Sequence, residues 1–137
     1  METGSSLTGS PSSGDGASTV LIAEDNVEAR QAMRELFAAC GYRVVVARNG
    51  REAVERSLEC HPDIILMDLM MPELDGFMAT REIRRGGMRD VPIIALTAMD
   101  GVARLVLEAG ANDYLRKPVK GHGLIAKVEE WTTDLKT

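Results

Sequence analysis

Four short, unbroken apolar runs constrain this chain more tightly than any other feature. They are Val20-Leu21-Ile22-Ala23, Val44-Val45-Val46-Ala47, Ile64-Ile65-Leu66-Met67 and Ile93-Ile94-Ala95-Leu96. A weaker fifth run surrounds Tyr114-Leu115. A strand with one face in water alternates apolar and polar residues. A run without alternation suits a strand covered on both faces, as in a parallel sheet between two layers of helices.

The intervening segments carry helical periodicity. Over 27–40, Ala29, Met33, Leu36, Phe37 and Cys40 share one face, and Gly41 stands where a C-terminal cap belongs. A second helix is predicted over 50–59 with Ala53, Val54 and Leu58 inward. A third is predicted over 74–85 with Phe77 and Ile83 inward. Asp100 is the expected cap of a fourth over 101–109, whose core stripe is Val102, Leu105, Val106 and Ala109, with Ala103 and Leu107 off it. Leu124, Val128, Trp131 and Leu135 mark a final amphipathic helix. Five alternations of strand and helix predict an α/β sheet with helices on both faces.

Composition narrows the function classes. A chain of 137 residues, 45% hydrophobic and 27% charged, suits one globular domain. Residues 1–18, METGSSLTGSPSSGDGAS, have almost nothing to bury and are expected to be a flexible tail or linker outside a domain of residues 19–137. The net charge of −5 weighs against general affinity for nucleic acid or anionic membranes. No apolar run approaches the ~20 residues that span a bilayer, and the N-terminus lacks a signal-peptide pattern. Cys40 and Cys60 lack metal-ligand spacing and are expected to be partly buried thiols in a reducing, cytoplasmic setting. His61 and His122 are expected to be loop residues.

Parallel α/β sheets bind ligands at the carboxyl ends of their strands. Glu24 and Asp25 follow the first run, Asp68 the third, Thr97 the fourth and Lys117-Pro118 the fifth. Such a fold brings these distant residues to one edge. Clustered carboxylates repel unless a cation neutralises them, and Mg²⁺ binds through one or two carboxylates together with phosphate and water. One carboxylate can then be a nucleophile towards phosphorus, with the lysine and threonine neutralising the phosphoryl oxygens. Asp68 is the best nucleophile candidate, since it ends a central strand.

The segments VLIAEDN (20–26), DIILMDLMMPELDGF (63–77), PIIALTA (92–98) and GANDYLRKP (110–118) resemble the receiver domain of two-component response regulators. The resemblance covers about residues 19–135. It implies a flavodoxin-like (βα)5 doubly wound sheet of strand order 2-1-3-4-5, an order for which a member of this family is a standard example. It implies that Asp68 is the phospho-acceptor. Mg²⁺ is then held by Glu24, Asp25, Asp68 and the backbone carbonyl of Met70. Thr97 would hydrogen-bond the phosphoryl group, Lys117 would pair with it, and Tyr114 would turn inward as Thr97 moves. Pro72 and Asp75-Gly76 would shape the loop after the acceptor, with Gly76 in a conformation other residues resist, and the Lys117–Pro118 peptide would be cis. The apolar Met70 and Met99, two residues beyond Asp68 and Thr97, imply slow self-dephosphorylation.

By the same resemblance the donor is a histidine kinase or histidine phosphotransfer protein. It would dock near Asn26, Val27, Ala29, Arg30 and the stretch Pro118–Gly121. A downstream protein target would use the face of the fourth helix, fifth strand and fifth helix. A dinucleotide-binding or P-loop domain requires a glycine-rich turn after the first strand, where this chain has Glu24-Asp25-Asn26. An aspartyl-phosphate phosphatase would place a second Asp where Met70 stands. A receiver-like module working without phosphorylation need not keep every site residue, and this chain does. A stand-alone regulator and the receiver of a hybrid kinase both fit the pattern.

Overall fold

The computed structural model describes residues 17–136; of the expected tail, 1–16 lie outside it. The elements are β1 (Thr19–Ala23), α1 (Val27–Ala39), β2 (Arg43–Ala47), α2 (Gly50–Cys60), β3 (Ile64–Asp68), α3 (Gly76–Arg85), β4 (Ile93–Thr97), α4 (Ala103–Ala109), β5 (Asp113–Arg116) and α5 (Gly121–Lys136). All strand pairs are parallel, in the order β2-β1-β3-β4-β5. Ser18 already joins the sheet, its carbonyl accepting from the Arg43 amide at 2.9 Å.

The unbroken apolar runs have the expected cause. Every residue of β1, β3 and β4 is buried. Side chains alternate across a strand, so each run feeds two cores. Leu21, Ala23, Ile65, Met67, Ile93 and Ala95 meet α2, α3 and α4 in one. Val20, Ile22, Ile64, Leu66, Ile94 and Leu96 meet Met33 and Phe37 of α1 and Leu124 and Val128 of α5 in the other. Each fully buried Ile or Leu contributes about 1.5–3 kcal/mol of transfer free energy. The edges are less covered: Val44, Val45 and Val46 of β2 are half-buried, and β5 alternates between half-buried and exposed.

Local chemistry fixes most helix ends. The side chains of Asn26, Asn49 and Asp75 accept from the amides of Ala29, Glu52 and Met78, which caps α1, α2 and α3. Gly41 follows α1 with φ +93°, and the Tyr42 amide folds back to the Phe37 carbonyl.

Several expectations are corrected. α4 begins at Ala103, not 101, and Asp100 does not cap it: Val102 occupies the N-cap without a side-chain bond, and Asp100 pairs with Arg116 instead. Leu105 is 51% exposed, as is Leu107, so the core stripe is Val102, Val106 and Ala109. Leu58 is exposed, and Ser57 takes the inward position on α2. Cys40 and Cys60 are both exposed, since each ends its helix past the last packed turn. His61 follows α2 in a left-handed conformation, but His122 lies inside α5 rather than in a loop. Among the expected residues of α5, Leu124 and Val128 are buried and Trp131 is half-buried; the Leu135 side chain lies outside those described.

One half-buried charge leaves no mark in the sequence pattern. The Arg84 guanidinium donates to the carbonyls of Gly110 (2.9 Å), Met88 (2.8 Å) and Val91 (2.7 Å) and to Asn112 Oδ1 (2.8 Å). Asn112 Oδ1 also accepts from the Ile93 amide. Arg84 thus ties the end of α3 to the starts of β4 and β5.

Candidate functional site

The carboxyl ends of β1, β3, β4 and β5 converge. The Glu24 amide donates to the Ala47 carbonyl and prolongs the β1–β2 ladder by one residue, which leaves the Glu24 side chain at the sheet edge and buried. Asp25 follows and is exposed. Arg30, one turn into α1, donates to the carbonyls of Glu24 (3.0 Å) and Asp25 (3.3 Å). It thereby fixes the acidic turn, a positioning role that its expected place on a docking surface did not suggest.

Asp68 ends β3, only 3% exposed. Its Oδ1 accepts from the Met70 amide at 3.1 Å and lies 3.2 Å from Lys117 Nζ. Lys117 Nζ also donates to Glu24 Oε1 at 3.3 Å, and Glu24 Oε2 accepts from the Asn26 amide. Carboxylate oxygens of Glu24, Asp25 and Asp68 all lie within 4.8 Å of one another. Burial, then the adjoining Asp68 carboxyl, pushes Glu24 above the usual carboxylate range. Burial alone would lower Lys117, but Asp68 and Glu24 outweigh it and raise it.

These groups form a site suited to a hard cation. Three carboxylates gather beside one ammonium, which contacts Glu24 and Asp68, so an ionised cluster keeps two uncompensated negative charges. An oxygen-only donor set with that charge fits Mg²⁺.

The other predicted residues take a different posture. Thr97 ends β4, buried, with its hydroxyl accepting from the Met99 amide at 2.9 Å. Tyr114 lies on β5 opposite Ala95 and is 36% exposed, so its ring is not packed inward. Met70 is 64% exposed beside Asp68, whereas Met99 packs against the core. The Lys117–Pro118 peptide is cis.

The loop after Asp68 differs from expectation. Its left-handed residue is Glu73, φ +72°, not Gly76. Gly76 is required by space: a Cβ there would stand 2.4 Å from the Asp68 carbonyl oxygen. The start of α3 is thus pressed directly against the Asp68 backbone.

Beside the acidic cluster runs a groove of about 310 Å³ between α1 and the β5–α5 connection. Its lining includes Ala32, Met33, Leu36, Pro118, Val119 and Leu124, together with Glu24 and Lys117 of the acidic cluster. Val27, at the start of α1, is 66% exposed.

Comparison with known proteins agrees with this arrangement. The response regulator receiver domain family matches residues 20–129. The response regulator MprA of Mycolicibacterium vanbaalenii is 40% identical over 111 residues, which is 80% of this chain and 48% of that protein. The chain thus spans about half the length of the curated relatives it matches. A receiver domain from a sensor histidine kinase of Pseudomonas aeruginosa, solved with a magnesium ion coordinated in its active-site cleft, superposes with a TM-score of 0.79 at 40% identity, covering 86% of this chain and 99% of that one. The receiver domain of Ssk1 from Saccharomyces cerevisiae, solved in complex with the histidine phosphotransfer protein Ypd1, gives 0.81 at 34% identity, covering 87% and 91%. No helix among the described residues is long and apolar enough to cross a membrane. The chain belongs to the response regulator receiver domains, signalling modules of two-component and phosphorelay systems rather than turnover enzymes on external substrates.

Proposed function

We propose that this domain accepts a phosphoryl group from a phosphohistidine onto Asp68, in the cytoplasm. The observation that carries this reading is the buried Asp68 carboxylate, 3.2 Å from Lys117 and crowded by Glu24 and Asp25. An Asp68 carboxylate oxygen attacks phosphorus, the P–N bond to the donor imidazole breaks, and the imidazole keeps the electron pair and takes a proton. Lys117 is placed to neutralise the transferred oxygens, and the Thr97 hydroxyl to donate to them once it turns from its own loop. Glu24, Asp25, Asp68 and the Met70 carbonyl are the residues that would hold Mg²⁺. When bound, Mg²⁺ supplies charge neutralisation for both the carboxylates and the phosphoryl oxygens.

The groove beside the site suits the donor, a histidine kinase or histidine phosphotransfer protein. Its apolar walls offer a seat for a helix, and it shares Glu24 and Lys117 with the acceptor site. Exposed Leu105, Leu107 and Tyr114 support the α4–β5–α5 side as the face for a downstream protein target, where Tyr114 would turn inward on activation.

Incubation with acetyl phosphate and Mg²⁺, followed by intact-mass measurement, tests the acceptor. The wild type gains one phosphoryl group and Asp68→Asn gains none. Equal labelling of both would refute the assignment.

A further inference from the structure

Resting on the acceptor reading above, we propose that Asp100 and Arg116 are a positioning pair. Together they latch the β4–α4 loop in the unphosphorylated arrangement, and their separation frees Asp100 to cap a longer α4. The Asp100 carboxylate stands away from its expected place. The sequence offers Asp100 as the cap of a helix beginning at 101, yet α4 begins at Ala103 with no side-chain cap. Asp100 Oδ1 is taken instead by Arg116 Nη1.

The residue between the two arrangements is a hinge. Gly101 has φ +71°, which stops the helix there. Glycine adopts helical φ as readily, and with Gly101 helical the chain would start α4 at 101 and place Asp100 at the N-cap. An exposed ion pair and an N-cap are of similar strength, each about a few-fold in an equilibrium. Neither arrangement dominates the other, as a switch requires.

The latch is joined to the site at both ends. Arg116 pairs in register with Thr97, and the Lys117 amide donates to the Thr97 carbonyl at 2.7 Å. On the other side, Thr97 Oγ1 accepts from the Met99 amide, next to Asp100. A Thr97 hydroxyl that turns towards Asp68 either breaks that bond or pulls Met99 along. In the second case Asp100 is drawn away from Arg116, which stays fixed on β5; in the first, the 98–100 segment loses its tie to Thr97 and the ion pair is left to hold it. Conversely, a closed latch holds Thr97 back.

Beryllofluoride titration with Mg²⁺ on the full chain, followed by backbone amide NMR, tests the pair. Arg116→Gln opens the latch and leaves the cap available. Gly101→Ala penalises the positive φ without a clash, since a Cβ there meets nothing within 4 Å. Both variants should bind about two- to fivefold tighter than wild type, with helical shifts at Gly101 (or its replacement) and Val102 before ligand is added. Arg116→Lys should behave as wild type. Asp100→Ala, lacking latch and cap alike, should show no extension of α4 in either state. Wild-type affinity in both Arg116→Gln and Gly101→Ala, or a non-helical 101–102 segment in the bound wild type, overturns the latch alone. A wild type that gives the same null response as Asp68→Asn overturns the acceptor reading, and the latch with it.

Discussion

The two ends of the sheet bury charge in opposite ways. At the amino end, the half-buried Arg84 guanidinium meets four neutral oxygens and, among the described residues, contacts no carboxylate. Burial lowers its pKa, but four of its five N–H donors are satisfied and three chain segments are tied together. At the carboxyl end, Glu24 and Asp68 are buried side by side and share one lysine. That arrangement leaves like charges opposed, and it is stable only to the extent that a cation relieves it. The first site holds the fold together; the second keeps unspent attraction for a ligand.

Arg84→Met would break the stabilising end. It keeps the aliphatic stem and leaves the carbonyls of Gly110, Met88 and Val91 without their donor. The expected loss is about 2–4 kcal/mol in urea unfolding, with the m-value unchanged. A loss under ~1 kcal/mol would mean that water replaces the guanidinium and that the two ends are less different than their contacts indicate.

Divalent cation should sharpen the contrast from the other side. At a hundredfold excess over its Kd, Mg²⁺ should stabilise the wild type by about 2.7 kcal/mol. Asp25→Asn should lose most of that gain, and Arg84→Met should keep it. Thermal unfolding with and without Mg²⁺ reads both.

Smaller effects lie in side chains that border the site. Met70 is exposed, so Met70→Asn should fold normally. An amide there can orient water, and the phosphoprotein lifetime should shorten by roughly tenfold or less, equivalent to about 1.4 kcal/mol in the barrier. An equal or longer lifetime would remove Met70 from any part in excluding water.

The smallest prediction concerns an ordinary surface carboxylate. Side-chain hydrogen bonding from Arg48, then its backbone amide, holds Glu52 down to about 2. A depressed folded-state pKa stabilises above the ordinary carboxylate range and is lost as pH falls. Glu52→Gln should therefore be less stable by about 0.5–1 kcal/mol at pH 7. The gap to wild type should close between about pH 4.3, the ordinary glutamate value, and pH 2. A gap that persists at pH 2 would assign the effect to packing.

How much of this was legible in the sequence follows from the range of the interactions. β1, β3 and β4 were plain because strands buried on both faces leave no alternation, and the acidic cluster was plain because Glu24, Asp25 and Asp68 follow those strands directly. Local capping was readable at Gly41. It failed at Asp100 because the competing partner, Arg116, is 16 residues away. Leu105 has the same apolar character as Val106, and only the docking angle of α4 decides which is covered. Arg84 carried no signal: three of its four acceptors are backbone carbonyls, which every residue possesses, and the fourth, Asn112, is 28 residues away. Gly76 was rightly singled out for the wrong cause, because close approach to the Asp68 carbonyl is a tertiary fact and not a property of the turn.

The sheet divides the interior into two compartments that share no side chain, one under α2, α3 and α4 and one under α1 and α5. Volume lost at Leu124 or Met33 is therefore felt along the groove wall, while volume lost at Ile83 or Val106 is felt beneath α4. A lineage could reshape one side by ordinary core drift and leave the other almost undisturbed, so that the shape of the groove beside α1 and the seating of α4 would be separately heritable traits of a single small domain.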